Sequence, residues 1–111
     1  MSVNKVILIG NVGNDPDIRY PEKDFPVAYF SLATNEPRGN TEVTEWHNIV
    51  MTGEQAHYAE RYIRKGMKLY IEGKLRTRQY TDKMNISRKR TEIYSYIFEI
   101  LSRPQQPPAN N

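Results

Sequence analysis

The sequence predicts an all-β domain with one short helix. Five segments rich in β-branched and aromatic residues are separated by clusters of Gly, Pro, Asn and Asp, which is typical of strands joined by turns. These segments are residues 3–13, 27–36, 41–53, 67–81 and 91–101. Residues 54–66 change instead to a helical spacing of apolar side chains. Three strands, a helix and two strands are the order of an OB-fold, so we expect a five-stranded Greek-key barrel with the helix between strands 3 and 4.

The predicted strands are joined by polar segments. Residues 14–26 contain three prolines and several aspartates, so we expect a loop with at most a short extended piece. Residues 37–40 and 82–90 are expected to form a turn and a hairpin tip. Residues 103–111 are rich in Pro, Gln and Asn and cannot bury a core. We therefore expect one OB-fold domain at residues 1–102 followed by a disordered C-terminal tail.

The third predicted strand contains the single tryptophan of the chain. Successive side chains of a strand point to opposite faces, so Trp46 shares its face with Thr44 and Asn48, while His47 and Ile49 lie on the other. A lone tryptophan is more often buried in the core than exposed. Because the face of Trp46 is polar, we predict that its ring is exposed.

The predicted helix places Ala56, Ala59, Tyr62 and Ile63 on one apolar face. Gly66 provides a C-terminal stop, and the cations just before it suit the negative end of the helix dipole. We expect this apolar face to pack against the barrel.

The fourth predicted strand has an unusual row of cations. Lys74, Arg76, Arg78 and Tyr80 occupy alternate positions and therefore share one face. Gly73, inside the strand, predicts a bulge or a sharp bend. The opposite face is expected to lie on the core and carries Leu69, Ile71, Leu75 and Thr77.

The charge of the chain is concentrated in its second half. The 111 residues have a formal net charge of +3, but residues 61–90 contain eleven Lys and Arg against two acidic residues. Such a basic block indicates a polyanionic partner, with a solvated charged face as the alternative. The chain has no cysteine, which excludes disulfides and thiolate metal sites. It also has no apolar run long enough for a membrane span, so we expect a cytoplasmic protein.

Motifs for catalysis are scarce. His47 and His57 lie on different predicted elements, and neither belongs to a metalloprotease or nucleophile pattern. Phosphate-binding glycine loops are lacking too. Asp15 and Asp17 offer two carboxylates to a metal, but two acids in a proline loop are far more often turn residues. We therefore predict no enzyme, no catalytic residue, no metal and no cofactor.

The rings and cations together suit a single-stranded nucleic acid. Such binding needs a positive groove that follows the phosphates and exposed rings on which bases stack. The strand with Lys74, Arg76, Arg78 and Tyr80 offers both, and Trp46 adds a ring on the neighbouring strand. For Tyr80, a surface tyrosine that caps a hairpin is an equally good interpretation.

Residues 4–20, 44–66 and 70–82 resemble the bacterial single-stranded DNA-binding protein family, and the resemblance covers residues 3 to 101 in order. It implies an OB-fold, sequence-independent binding of single-stranded DNA in replication, repair and recombination, and commonly a homotetramer. The residues themselves are compatible with a dimer as well as a tetramer. Trp46 and Tyr80 fall where the family has base-stacking aromatics. Cations that contact the strand fall at Lys5, Arg19, Lys65, Arg76 and Arg78, and His47 and Tyr70 align with positions of subunit contact.

Two departures from the family concern stacking. Arg38 and Thr52 stand where the family often has a tryptophan and a phenylalanine. Arg38 retains a planar cation that can stack on a base or meet a phosphate. We therefore expect either weaker binding or binding that depends more on salt-sensitive phosphate contacts.

The sequence ends in Pro-Pro-Ala-Asn-Asn, without the acidic tip by which the family recruits partners. Either the chain is truncated or it is a tail-less member of the family, and we expect a tail-less form to coat DNA without recruiting partners in the usual way. A rival hypothesis is a tail-less primosomal OB protein, which would be a protein-interaction module in replication restart. A nuclease, which would need a metal-binding acid cluster, is the second rival.

Overall fold

The computed structural model describes residues 1–104 as an all-β fold with one helix. The strands are β1 (Val6–Val12), β2 (Asp17–Glu22), β3 (Phe25–Arg38), β4 (Thr41–Thr52), β5 (Lys68–Thr81) and β6 (Ser87–Ser102), and the helix is α1 (Glu54–Tyr62). The predicted disordered tail lies, apart from residues 103 and 104, outside the described residues. Within residues 1–104 no helix is long and apolar enough to cross a membrane.

Five of the strands close into a barrel. β1 pairs with β5, β5 with β6, β6 with β4, β4 with β3, and β3 returns to β1. All these pairings are antiparallel except β4 with β6, which is parallel. The closed ring confirms the predicted five-stranded OB-fold barrel.

In chain order, α1 lies between β4 and β5 rather than between strands 3 and 4, because the structure has one strand more than predicted; among the five barrel strands the helix follows the third, as expected. The extra strand is β2, which the sequence analysis assigned to a loop. β2 pairs with β3 along one edge and has a register shift between Arg19 and Glu22. Pro21 lies within this shift, and an edge strand tolerates a proline that a central strand would not.

The core lies inside the barrel and beneath α1. Ala56, Ala59 and Ile63 are buried and pack with Leu32, Met51 and other apolar residues of the strands. The helix ends at Tyr62 rather than near residue 66, and Ile63 already has extended backbone. The ring of Tyr62 is consequently exposed and not part of the core.

The β5–β6 hairpin extends beyond the barrel as an arm. β1 covers β5 only from Lys68 to Gly73, so both faces of the following residues are open to solvent. The prediction that Leu75 and Thr77 lie on the core is therefore wrong, since both are exposed. Residues 87–90 belong to β6, and the hairpin tip is shorter than predicted.

Gly73 marks a bulge, as predicted. The β5–β6 register shifts between Glu72 and Gly73, where the partner changes from Ile97 to Ser95. A methyl group on Gly73 would collide with the backbone carbonyl of Tyr94. The glycine thus permits the close backbone approach that the bend requires.

Candidate nucleic-acid interface

Trp46 lies on the outer face of β4, with 61% of its surface exposed. Its direct neighbour across the β3–β4 pair is Ala33, whose small side chain leaves the ring uncovered. A methyl group on Gly13 would lie 2.5 Å from Cζ3 of the indole, so the ring packs edge-on against the start of the β1–β2 loop. The exposure predicted from strand alternation is confirmed, and a large flat apolar surface is available to a ligand.

The cationic row of β5 is matched by a second row on β6. Antiparallel pairing places Arg78 opposite Arg90 and Tyr80 opposite Arg88 on one face of the arm. The guanidinium of Arg78 lies 5.7 Å from the ring centre of Tyr80, which is a cation–π distance. Arg76 lies 5.3 Å from the ring of Tyr94 in the same way. The face therefore combines cations with aromatic rings.

A buried carboxylate lies beneath this face. Glu92 of β6 has 0% of its surface exposed, and Arg78 donates from Nε to Oε1 (3.2 Å) and from Nη2 to Oε2 (3.3 Å). Nε of Arg90 lies 3.5 Å from Oε2. The hydrogen bond to Glu92 raises the pKa of Arg78 above its already high ordinary value, so this arginine remains charged.

The arginines reach across the sheet to β4. Nη2 of Arg90 donates to Oδ1 of Asn48 at 2.9 Å, and Nδ2 of Asn48 donates to the carbonyl of Thr91 at 3.3 Å. Since Asn48 follows Trp46 by two residues on the same face, the network connects the arm to the strand that holds the indole.

A polar pocket of about 290 Å³ opens at this junction. On its far side, Arg19 of β2 lies 5.6 Å from the ring centre of Tyr29 and pairs with Asp17 at 3.1 Å. The wall has three arginines and one acid, Asp17, so the pocket is net positive. Its wall is formed by Asn14, Asp17, Arg19, Tyr29, Phe30, Ser31, Asn48, Arg78 and Arg90.

The other predicted cations are not gathered at this pocket. Lys5 pairs with Glu72 at 3.4 Å, on the opposite part of β5. Arg38 is exposed at the end of β3, and Lys74 is exposed opposite Tyr94. Lys65 is exposed after α1, and its backbone amide donates to Asp15 beside the β1–β2 loop. Their contacts with a nucleic acid stay predictions.

The two residues predicted at subunit contacts lie in different surroundings. His47 is half-buried, and its Nε2 lies 2.9 Å from the hydroxyl of Thr34. Tyr70 lies opposite Ile9 of β1, and partial burial and Glu72 raise the pKa of its hydroxyl. Tyr70 belongs to the same strand face as Arg78, but that end of the strand contacts β1 rather than the arginine pocket.

Several residues of the site were missed in the sequence. Arg88, Arg90, Glu92 and Tyr94 repeat on β6 the alternation seen at residues 74–80, and that period was the signal that could have found them. This period was not recognised because residues 82–90 were interpreted as a polar hairpin tip. Tyr29, which also lines the pocket, gave no signal beyond a place in a strand.

Asp15 and Asp17, the two acids considered as metal ligands, already contact other groups of the protein. Oδ1 of Asp15 accepts from the backbone amide of Lys65, and Asp17 pairs with Arg19. No group of three or more potential metal ligands occurs in residues 1–104.

These features define a class of protein. An OB-fold barrel with an exposed indole, a net positive pocket and an arm that carries cations and rings has the groove and stacking platforms of a single-stranded nucleic-acid binder. The pocket and arm are too open and too rich in cations to resemble an enclosed small-molecule site.

The comparisons with known proteins give the family. The model of the single-strand binding protein family matches residues 3–101, so the chain belongs to that family. A single-stranded DNA-binding protein of Bacteroides thetaiotaomicron is 50% identical over 110 residues, which covers 92% of this chain and 68% of that protein. A solved structure, the Plasmodium falciparum SSB complex with single-stranded DNA, aligns with a TM-score of 0.83 and 34% identity over 92% of this chain and 97% of the other.

Proposed function

We propose that this protein binds single-stranded DNA without sequence preference and protects it during replication, repair and recombination. The observation that carries the proposal is the exposed Trp46 ring beside the arginine pocket. The family and the names of both relatives support the same activity. They favour it over the primosomal interaction module.

The mechanism combines stacking with charge. Bases stack on Trp46 and, along the arm, on Tyr80, since every base has a π-face and none is selected by it. Arg76, Arg78 and Arg19 replace the counterions of the phosphates that follow. The stacking rings and the phosphate-binding cations account for binding without the base-edge hydrogen bonds that give sequence specificity.

The binding proposal is tested by the fluorescence of Trp46, the single tryptophan. The protein is titrated with oligo(dT) and with a duplex of equal length at low and high salt. We expect strong quenching by oligo(dT), little by the duplex, and a midpoint that weakens as salt rises. Absence of oligo(dT) binding by fluorescence and by anisotropy of a labelled strand would reject the proposal.

A second part of the proposal is assembly into a homotetramer. The backbone edge of residues 6–10 that faces away from β5 has no strand partner among residues 1–104, and such an edge favours pairing with another chain. On the adjoining outer face, Ile7, Ile9 and Ile97 are exposed beside Tyr70. We assign this apolar face and Tyr70 to subunit contacts. His47 lies elsewhere on the barrel, and its subunit contact stays a prediction.

Light scattering after size exclusion tests the assembly. We expect four times the chain mass for the wild type and a lower mass for Ile9→Glu, which puts a charge in the apolar face. Ile86→Glu is the matched control, because Ile86 is similarly exposed at the hairpin tip. A wild-type mass of one chain would reject the tetramer and leave the DNA-binding proposal intact.

The domain bounds and the cellular location are also part of the proposal. We assign the DNA-binding domain to residues 1–102, since the closed barrel and the arm end at Ser102. We place the protein in the bacterial cytoplasm, where single-stranded DNA arises. Localisation of a fluorescent fusion in bacterial cells would check the second assignment.

A further inference from the structure

Glu92 lies where a carboxylate is costly. Among residues 1–104 it is the one charged side chain that is fully buried, and its neighbour Ile93 belongs to the core. A buried carboxylate must be paired, and a buried ion pair is often no more stable than an apolar replacement. Stability therefore does not explain an acid in a basic face.

The partners of Glu92 are both arginines of the proposed DNA-binding pocket. Arg78 meets it with two parallel hydrogen bonds of 3.2 and 3.3 Å, the fork geometry that fixes a guanidinium in plane. Nε of Arg90 lies 3.5 Å from Oε2 of Glu92, an ion-pair contact without a hydrogen bond, and Nη2 of Arg90 donates to Asn48 at 2.9 Å. Glu92 thus fixes the inner edge of Arg78, while Arg90 is held mainly by Asn48.

The outer edges of the same arginines stay open. The side chains of Arg78 and Arg90 keep 46% and 42% of their surface exposed, and both line the pocket. A free arginine loses rotamer entropy when it binds a ligand, whereas a pre-oriented fork has already lost it.

We propose that Glu92 is a positioning residue for single-stranded DNA binding, which holds the guanidinium fork of Arg78 so that its outer edge meets the phosphates of the strand in a fixed orientation. This inference rests on the proposed function and adds a residue that does not itself touch DNA.

The inference predicts that orientation, as well as charge, matters at residue 78. Arg78→Lys keeps the positive charge but loses the fork. Binding of labelled oligo(dT) should weaken about tenfold, the loss of one charge-assisted hydrogen bond, with an unchanged dependence on salt. Glu92→Gln adds one net positive charge. A tenfold rise in salt should therefore weaken the binding of this variant about fivefold more than it weakens wild-type binding.

A double-mutant cycle separates positioning from independent effects. If Glu92 acts through Arg78, then Arg78→Lys should have little further effect in the Glu92→Gln background. Arg38→Lys is the matched control, because Arg38 is an exposed arginine at the far end of β3, is paired with β4 rather than with β6, and has no ion-pair partner among the described residues. Its effect should add to that of Glu92→Gln. Additive effects for Arg78 as well would overturn the inference.

A measurement on the free wild-type protein keeps the inference testable if Glu92→Gln fails to fold. In NMR spectra, the Nε–H proton of Arg78 should exchange with water more slowly than that of Arg76, because Glu92 accepts it. Equal exchange at both arginines would overturn the positioning role. Failure of the wild type to bind oligo(dT) would instead overturn the proposed function, and the two failures are thus distinguishable.

Discussion

Replacement of Trp46 by alanine is the most direct test of the stacking mechanism. Stacking of a base on an aromatic ring contributes about 1–3 kcal/mol, so its loss should raise the Kd for oligo(dT) about 5-fold to about 150-fold. Because the indole has no charge, the salt dependence of binding should be unchanged. Anisotropy of a labelled oligo(dT) measures both quantities in a protein that no longer has a tryptophan.

The fold should tolerate this replacement. With 61% of Trp46 exposed, roughly two fifths of it is buried, and full burial of such a ring is worth about 3–5 kcal/mol on truncation to alanine. The expected loss of unfolding free energy is therefore about 1–2 kcal/mol, against a typical stability of about 5–15 kcal/mol. Urea denaturation of Trp46→Ala, followed by circular dichroism, measures it.

Tyr62→Ala is the control for Trp46→Ala. Tyr62 is an exposed aromatic residue on α1 that lines neither the arginine pocket nor the surface around Trp46. Its replacement should leave the Kd within about twofold of the wild type, as expected for a surface substitution away from the site. A Kd for Trp46→Ala that also stays within this range would refute the stacking argument.

Gly13→Ala tests the position of the ring without removing it. The added methyl would lie 2.5 Å from both Cζ3 of Trp46 and Oγ of Ser31, and both atoms are ends of side chains that can move. We expect a folded protein with altered Trp46 emission and an affinity loss no larger than that of Trp46→Ala. Unchanged emission would show that the ring does not rest against Gly13.

Two further predictions concern the hairpin arm. Gly73→Ala would force a methyl against the backbone carbonyl of Tyr94, which cannot yield as a side chain would, so urea denaturation should show a loss of about 3 kcal/mol or more; a loss below about 1 kcal/mol would contradict the close approach. The backbone amide of Ile86 and the guanidinium of Arg88 lower the pKa of Asp82 below its ordinary value of 3.8. The stability that Asp82 gives the tip should therefore be complete above pH 3.8 and be lost as the pH falls below it, as measured by amide exchange of Ile86. Asp82→Asn should abolish this pH dependence. A pH dependence that persists in the variant would come from another titratable group.

The sequence alone determined the elements with a clear period. Alternation in strands indicated that Trp46 faces solvent, because its same-face neighbours are polar. Gly73 indicated a bulge, because a glycine has no Cβ and permits a close backbone approach in any strand. The order of elements then predicted the barrel.

Features that depend on pairing partners were beyond the sequence. β2 contains a proline and several charged residues, and its strand conformation comes from β3, to which it is hydrogen-bonded. Leu75 lies on the face of β5 that packs on the core nearer the barrel, but β1 pairs with β5 only as far as Gly73 and does not cover it. Local periodicity describes which side of a strand a residue lies on and not what, if anything, packs against that side.

The arginine pocket separates most clearly what local patterns predict from what strand pairing decides. Strand alternation was enough to predict that Arg78 and Trp46 lie on the outward faces of two strands. Only the tertiary structure decided that Glu92 is buried beneath Arg78 and Arg90, and that Arg90 reaches Asn48, 42 residues earlier in the chain. The burial of a charge depends on which cations the barrel brings within hydrogen-bonding distance, and that distance is set by closure of the sheet rather than by any local pattern.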